Sequence, residues 1–115
     1  MESDLKISIR KESDVSVLEL VGDVTAVTGK TIEEAYQKET TAGTKKVLLL
    51  FDKNCYINSG GIASLILIAS KSRKKDQVIF MTGVTDHFHK IFGMVGLSKY
   101  IIIYPSEESA LQGFN

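Results

Sequence analysis

The stretch Val47-Leu48-Leu49-Leu50-Phe51-Asp52 decides how this chain folds, together with Asn58-Ser59-Gly60-Gly61 and Ile62-Ala63-Ser64-Leu65-Ile66-Leu67-Ile68 beyond the short segment 53–57. An uninterrupted apolar run of this length reads as a strand covered on both faces, as in the middle of a parallel sheet with helices packed on it. The second segment, roughly 60–74, has the length and spacing of a helix, so Ser59 falls at a helix N-terminus. There the first backbone N–H groups lack intrahelical acceptors and the dipole favours negative charge. A hydroxyl so placed can cap the helix, act as a nucleophile or carry a phosphate.

Upstream, Leu5, Ile7 and Ile9 alternate with Lys6, Ser8 and Arg10, the period-two pattern of an edge strand. The polar residues 11–14 form a hairpin loop, and Val15 to Val21 is a second, more apolar strand ending at Gly22-Asp23. These two strands should pair antiparallel. Next comes a helix over 28–37, with Ile32, Ala35 and Tyr36 on one face and Thr31 and Glu34 at the spacing of a capping box. Downstream lie a strand over 77–81, a helix over 86–95 with Phe88, Ile91, Phe92 and Val95 on one side, a strand over 100–104, and a short terminal helix starting at Ser106 after Pro105. Alternating strands and helices imply right-handed crossovers. The expected fold is α/β: a mostly parallel sheet of four to five strands, an antiparallel N-terminal edge strand and about four helices, in one domain over 1–115.

Composition narrows the function. The 115 residues are 43% hydrophobic and 24% charged, with a formal net charge of zero, which gives no electrostatic reason to expect nucleic acid or an anionic membrane. A single cysteine, Cys55, excludes an intramolecular disulfide and suits a reducing compartment. The N-terminal ten residues lack the basic start and apolar core of a signal peptide, and no apolar run approaches the ~20 residues of a membrane span. The expected location is the cytoplasm.

Several motifs imitate catalytic or ligand sites. Gly29-Lys30-Thr31 opens a helix after a strand, but a phosphate loop needs a glycine at position 24, where Val24 stands. His87 and His89 are two apart on a helix and do not face each other, so they make a poor metal pair. No G-x-S-x-G elbow surrounds Ser59, so neither histidine, with Asp23 or Asp52, has a nucleophile prepared for it. Lys71, Arg73, Lys74 and Lys75 complement the dipole at the end of their helix. On that helix Ile62, Leu65, Ile66 and Ala69 form the stripe facing the sheet, which leaves Leu67 and Ile68 as surplus apolar surface beside Ser59, covered by neighbouring helices or exposed for a partner.

The run from Val47 to Asp52 and the segment from Asn58 to Leu65 resemble the aliphatic strand and the Asp-Ser-x-Gly-(Leu/Ile)-x-x-Leu signature of STAS domains, which include the bacterial anti-sigma-factor antagonists. Leu20-Val21-Gly22-Asp23 resembles the glycine turn after the second strand, and Phe92 to Leu97 the segment before the last, so the likeness spans nearly the whole chain. It implies a non-enzymatic switch without cofactor or metal, cytoplasmic, in which Ser59 is phosphorylated by a partner serine kinase. It also implies a docking surface of Gly22, Asp23, Asn58, Ser59, Gly60, Gly61, Ala63 and Leu67. The implied partners are an anti-sigma factor or switch serine kinase, a serine phosphatase and other STAS proteins, the last in a stressosome-type scaffold as the alternative role. The sequence departs from the pattern at Asn58, where the family has aspartate, and at Thr25, where many relatives have another. Asparagine keeps the acceptor oxygen of a cap and loses the charge.

Overall fold

The hydrophobic alternation of the strands divides the interior into two layers, one on each side of a single five-stranded sheet. The computed structural model describes residues 5–115, with β1 (Leu5–Glu12), β2 (Val15–Gly22), α1 (Ala26–Thr41), β3 (Lys46–Phe51), α2 (Ser59–Lys74), β4 (Val78–Thr82), α3 (Asp86–Met94), β5 (Ile102–Tyr104) and α4 (Glu107–Gly113). Residues 1–4 of the expected unit lie outside the described residues. The strand order is β1-β2-β3-β4-β5; β1 is antiparallel to β2 and every other pair is parallel, as the sequence implied.

Leu18 and Leu20 of β2, Val47, Leu49 and Phe51 of β3, and Ile79 and Met81 of β4 pack with Ile32, Leu65, Ile68, Phe88 and Phe92 of α1, α2 and α3. On the opposite side Val15, Val17, Leu48 and Phe80 pack with Ala110 and Phe114 at α4. Three helices share one face because each parallel crossover advances one strand in the same direction with the same hand. Strand order therefore never reverses within the parallel part, so the described strands contain no topological switch point of the kind at which such sheets hold nucleotides. Arg10 ties α4 to the sheet, reaching Glu107 at 2.5 Å, Glu12 at 2.6 Å and Glu19 at 3.3 Å.

Local boundaries differ from expectation for identifiable reasons. The hairpin needs only Ser13 and Asp14, with Ser13 at φ 60°, so Lys11 and Glu12 remain in β1 opposite Ser16 and Val15. Helix α1 begins at Ala26, because Thr25 caps it and shares a capping box with Thr28; Thr31 and Glu34 lie inside the helix. On α2 the buried residues are Gly61, Leu65, Ile68, Ala69 and Ser72, so Ile68 is core, while Ile62 and Ile66 are half-buried flanks. Leu67 is 48% exposed. Ahead of β5, the amides of Tyr100 and Ile101 donate to Leu97 O in a 3-10 turn, which keeps both out of the ladder and shortens the strand. Val95 caps α3 from outside its buried face and is exposed.

Candidate functional site

Two strand-to-helix loops meet at the C-terminal ends of β2 and β3. Asp52 N donates to Leu20 O at 2.9 Å, and the chain then turns, with Cys55 N donating to Asp52 O and Asn54 N to the Asp52 carboxylate. Beyond the turn it runs alongside the other loop: Val24 N donates to Tyr56 O at 2.8 Å and Asn58 N to Val24 O at 3.1 Å, making a parallel bridge of Val24 with Ile57. Buried Val24, Cys55 and Ile57 anchor this junction in the core. It sets the N-termini of α1 and α2 side by side.

The close approach of those helices is written in small residues. A Cβ on Gly61 would stand 2.2 Å from Val24 O, and one on Gly60 would stand 2.9 Å from the Ala26 backbone nitrogen. Gly29 packs in the same way against Ser64, so within Gly29-Lys30-Thr31 the glycine is a helix-contact residue in the second turn of α1 and not part of a phosphate loop. The ion pair of Lys71 with Glu33 joins the same two helices further along, a role for Lys71 beyond complementing the dipole.

Asn58, in extended conformation, is the cap of α2: its Oδ1 accepts from Gly61 N at 2.9 Å. Ser59 is already helical, so it cannot cap, and its exposed hydroxyl has no hydrogen-bond partner among the described residues. The asparagine frees the serine. Along α2 the exposed residues Ser59, Ala63 and Leu67 recur every four positions and form one outward line. Gly22, with φ 127°, ends β2, and Asp23 follows it in the adjoining loop, where Asp23 O accepts from Thr28 Oγ1 at 2.8 Å.

Of the residues assigned to docking from sequence, Ser59, Ala63 and Leu67 are exposed, and Gly22, Asp23, Asn58 and Gly60 are partly so. Gly61 is buried beneath Val24, where its lack of a side chain admits that loop. The sequence pattern did not single out Val27, 68% exposed in the first turn of α1, or Tyr56, 58% exposed with its ring edge-on to Phe88 at 5.9 Å. Val27 carried a signal, since it is an apolar residue off the stripe of Ile32 and Tyr36, but the expected helix starts one residue after it.

His87 and His89 are exposed on α3, and neither is hydrogen-bonded to Ser59 among the described residues. Nor do those residues contain a group of three His, Cys, Asp or Glu side chains able to hold a metal. Cys55 is buried, and its thiol is pushed up to about 11 by burial and then by Asp23 and Asp52, which keeps it protonated and unreactive near neutral pH. No helix among the described residues is long and apolar enough to cross a membrane.

The architecture is shared with solved proteins. An anti-sigma factor antagonist from Mycobacterium paratuberculosis superposes with a TM-score of 0.78 at 17% identity, over 96% of this chain and 93% of that one. The Bacillus cell fate determinant SpoIIAA in its phosphorylated form matches with a TM-score of 0.68 at 12% identity, over 96% of this chain and 100% of the other. The anti-sigma factor antagonist SpoIIAA in its unphosphorylated form matches with a TM-score of 0.73 at 12% identity, over 95% and 96%. At such identities the likeness speaks for the fold. Family membership rests on the sequence itself, which matches the STAS domain family model over residues 6–110, and on that ground this chain belongs to the STAS domain family.

Proposed function

We propose that this protein is a non-enzymatic, cytoplasmic anti-sigma-factor antagonist that works as a phospho-switch. The unmodified protein docks on a serine-kinase anti-sigma factor through the surface around Ser59, and phosphorylation of Ser59 releases it; a serine phosphatase resets the switch. The observation that carries this reading is an exposed hydroxyl, without a hydrogen-bond partner among the described residues, at the head of the exposed line Ser59, Ala63 and Leu67 on α2.

The physics of release is local. A phosphate adds roughly −1.5 to −2 charges, which must lose their hydration if an apolar partner surface closes over them. Within the free protein the same anion sits at the N-terminus of α2, where the dipole favours it. Modification thus costs the complex more than it costs the free domain. SpoIIAA, a structural match, is an anti-sigma factor antagonist described in both phosphorylated and unphosphorylated forms.

Incubation with a candidate anti-sigma kinase and ATP, with mass-spectrometric mapping of the product, tests the reading. Phosphate is expected on Ser59 and absent from Ser59→Ala. Modification elsewhere, unchanged in that variant, rejects it. Asn58 favours a second reading, because a kinase contact that needs a carboxylate at this position has none: the same face then joins other STAS proteins in a stressosome-type scaffold, and light scattering with such partners would reveal a large stable assembly.

A further inference from the structure

The end of α2 remote from Ser59 carries a different surface. Strand β5 pairs with β4 alone, and no strand among the described residues covers its outer side. Beside it lies a cleft of about 300 Å³ lined by Arg73, Asp76, Val78, Phe80, Tyr100 and Ile102, among others. Val78, Tyr100 and Ile102 are 44%, 46% and 55% exposed. The Arg73 guanidinium lies over the Tyr100 ring, 5.4 Å from its centroid, and Nη1 donates to Lys99 O at 3.4 Å, so the cation is held at the rim.

Charge around the cleft is one-sided although the whole chain is neutral. Arg73, Lys74, Lys75 and Lys99 are exposed, and none belongs to an ion pair among the described residues. Asp76 is the one acidic side chain in the lining. The dipole of α2 accounts for cations in its last turn, but not for apolar side chains left open beside them or for an unpaired strand edge.

We propose that this edge is a docking site for an acidic, extended peptide segment of a partner protein, added to the sheet beside β5 with an apolar side chain in the cleft and carboxylates on Arg73 and the lysines. Only a peptide satisfies all three features at once: its backbone can pair with the edge, its apolar side chain fills the cleft, and its acids meet the cations. Nucleic acid would use the cations and leave the apolar cleft and the strand edge unused. The site is distinct from the Ser59 face, since the 14 helical steps from Ser59 to Arg73 span about 21 Å at 1.5 Å per residue.

The test is a titration of the ¹⁵N-labelled protein with the capped hexapeptide Glu-Glu-Val-Leu-Glu-Glu, read out by amide chemical shifts. Perturbations are expected in segments 72–80 and 99–104 and not around Ser59, with binding weakened by added salt. Arg73→Glu and Ile102→Glu should each lower affinity at least about tenfold with unchanged melting temperature. If Arg73→Glu proves less stable, Lys74→Glu combined with Lys75→Glu decides in its place. The proposal is overturned if the peptide leaves these segments unperturbed, shifts only the Ser59 face, or binds no better than its Lys-Lys-Val-Leu-Lys-Lys counterpart. It is also overturned if a single-stranded oligonucleotide or phosphatidylglycerol vesicles bind through Arg73 while the peptide does not.

Discussion

At the scale of single residues, the chemistry of the site rests on a division of labour between neighbours. Asn58 holds the helix terminus through Gly61 N, which leaves the Ser59 hydroxyl free. Asn58→Ala should therefore cost ~1 kcal/mol in urea unfolding, the usual worth of a cap, whereas Asn58→Asp keeps the acceptor and should leave stability within a few tenths of a kcal/mol. Gly61→Ala should cost more, about 1–3 kcal/mol, because its Cβ would fall 2.2 Å from a backbone carbonyl that cannot rotate away. The sequence revealed the serine at a helix start but left it with too many roles. Adjacent polar residues all look like caps until the backbone shows which one is extended, and that is fixed by the Val24–Ile57 bridge, a contact between segments more than thirty residues apart in the sequence.

Among elements, α2 is shared between two neighbours and solvent. Its buried side faces the sheet, Gly60, Ser64 and Lys71 face α1, and the line Ser59, Ala63, Leu67 is left outside. Leu67→Lys should change stability by no more than about 0.5 kcal/mol, since the side chain is half exposed, yet weaken binding to the partner at least tenfold. Calorimetry beside a thermal melt separates the two effects. The helix was legible from its spacing, and Leu67 stood out as surplus. Ile68 was misplaced because Ile62 and Ile66 drew the expected stripe toward the flank, and nearly continuous hydrophobicity blurs the angle at which a helix meets its sheet. The edge at β5 was hidden for a related reason: Tyr100 to Tyr104 reads as one strand, and only the 3-10 turn shows that its first two residues are spent elsewhere.

At the scale of the whole molecule, period-two and helical patterns were enough to order every element and set the sheet, because parallel crossovers of one hand leave few alternatives. What the patterns lacked was the pairing of loops at the ends of the strands, where the candidate site lies. The interior also predicts an alkaline limit. Burial pushes the Cys55 thiol from 9.0 up to about 11 and the Tyr36 hydroxyl, which donates to Gln77, from 10.0 up to about 12. Both groups bind their protons more tightly when folded, so the stability they contribute is fully present below pH 9 and is lost as pH rises through about 9 to 12. Urea midpoints measured across that range should fall, and Tyr36→Phe should flatten the upper part of the decline.

If Ser59 is the switch within a docking face, the anti-sigma kinase must distinguish unmodified protein from protein carrying phosphate on Ser59, and calorimetry with each form measures the two affinities. Phosphorylation is expected to lower the affinity at least tenfold with the domain still folded; equal affinity of the two forms would rule out Ser59 as the switch.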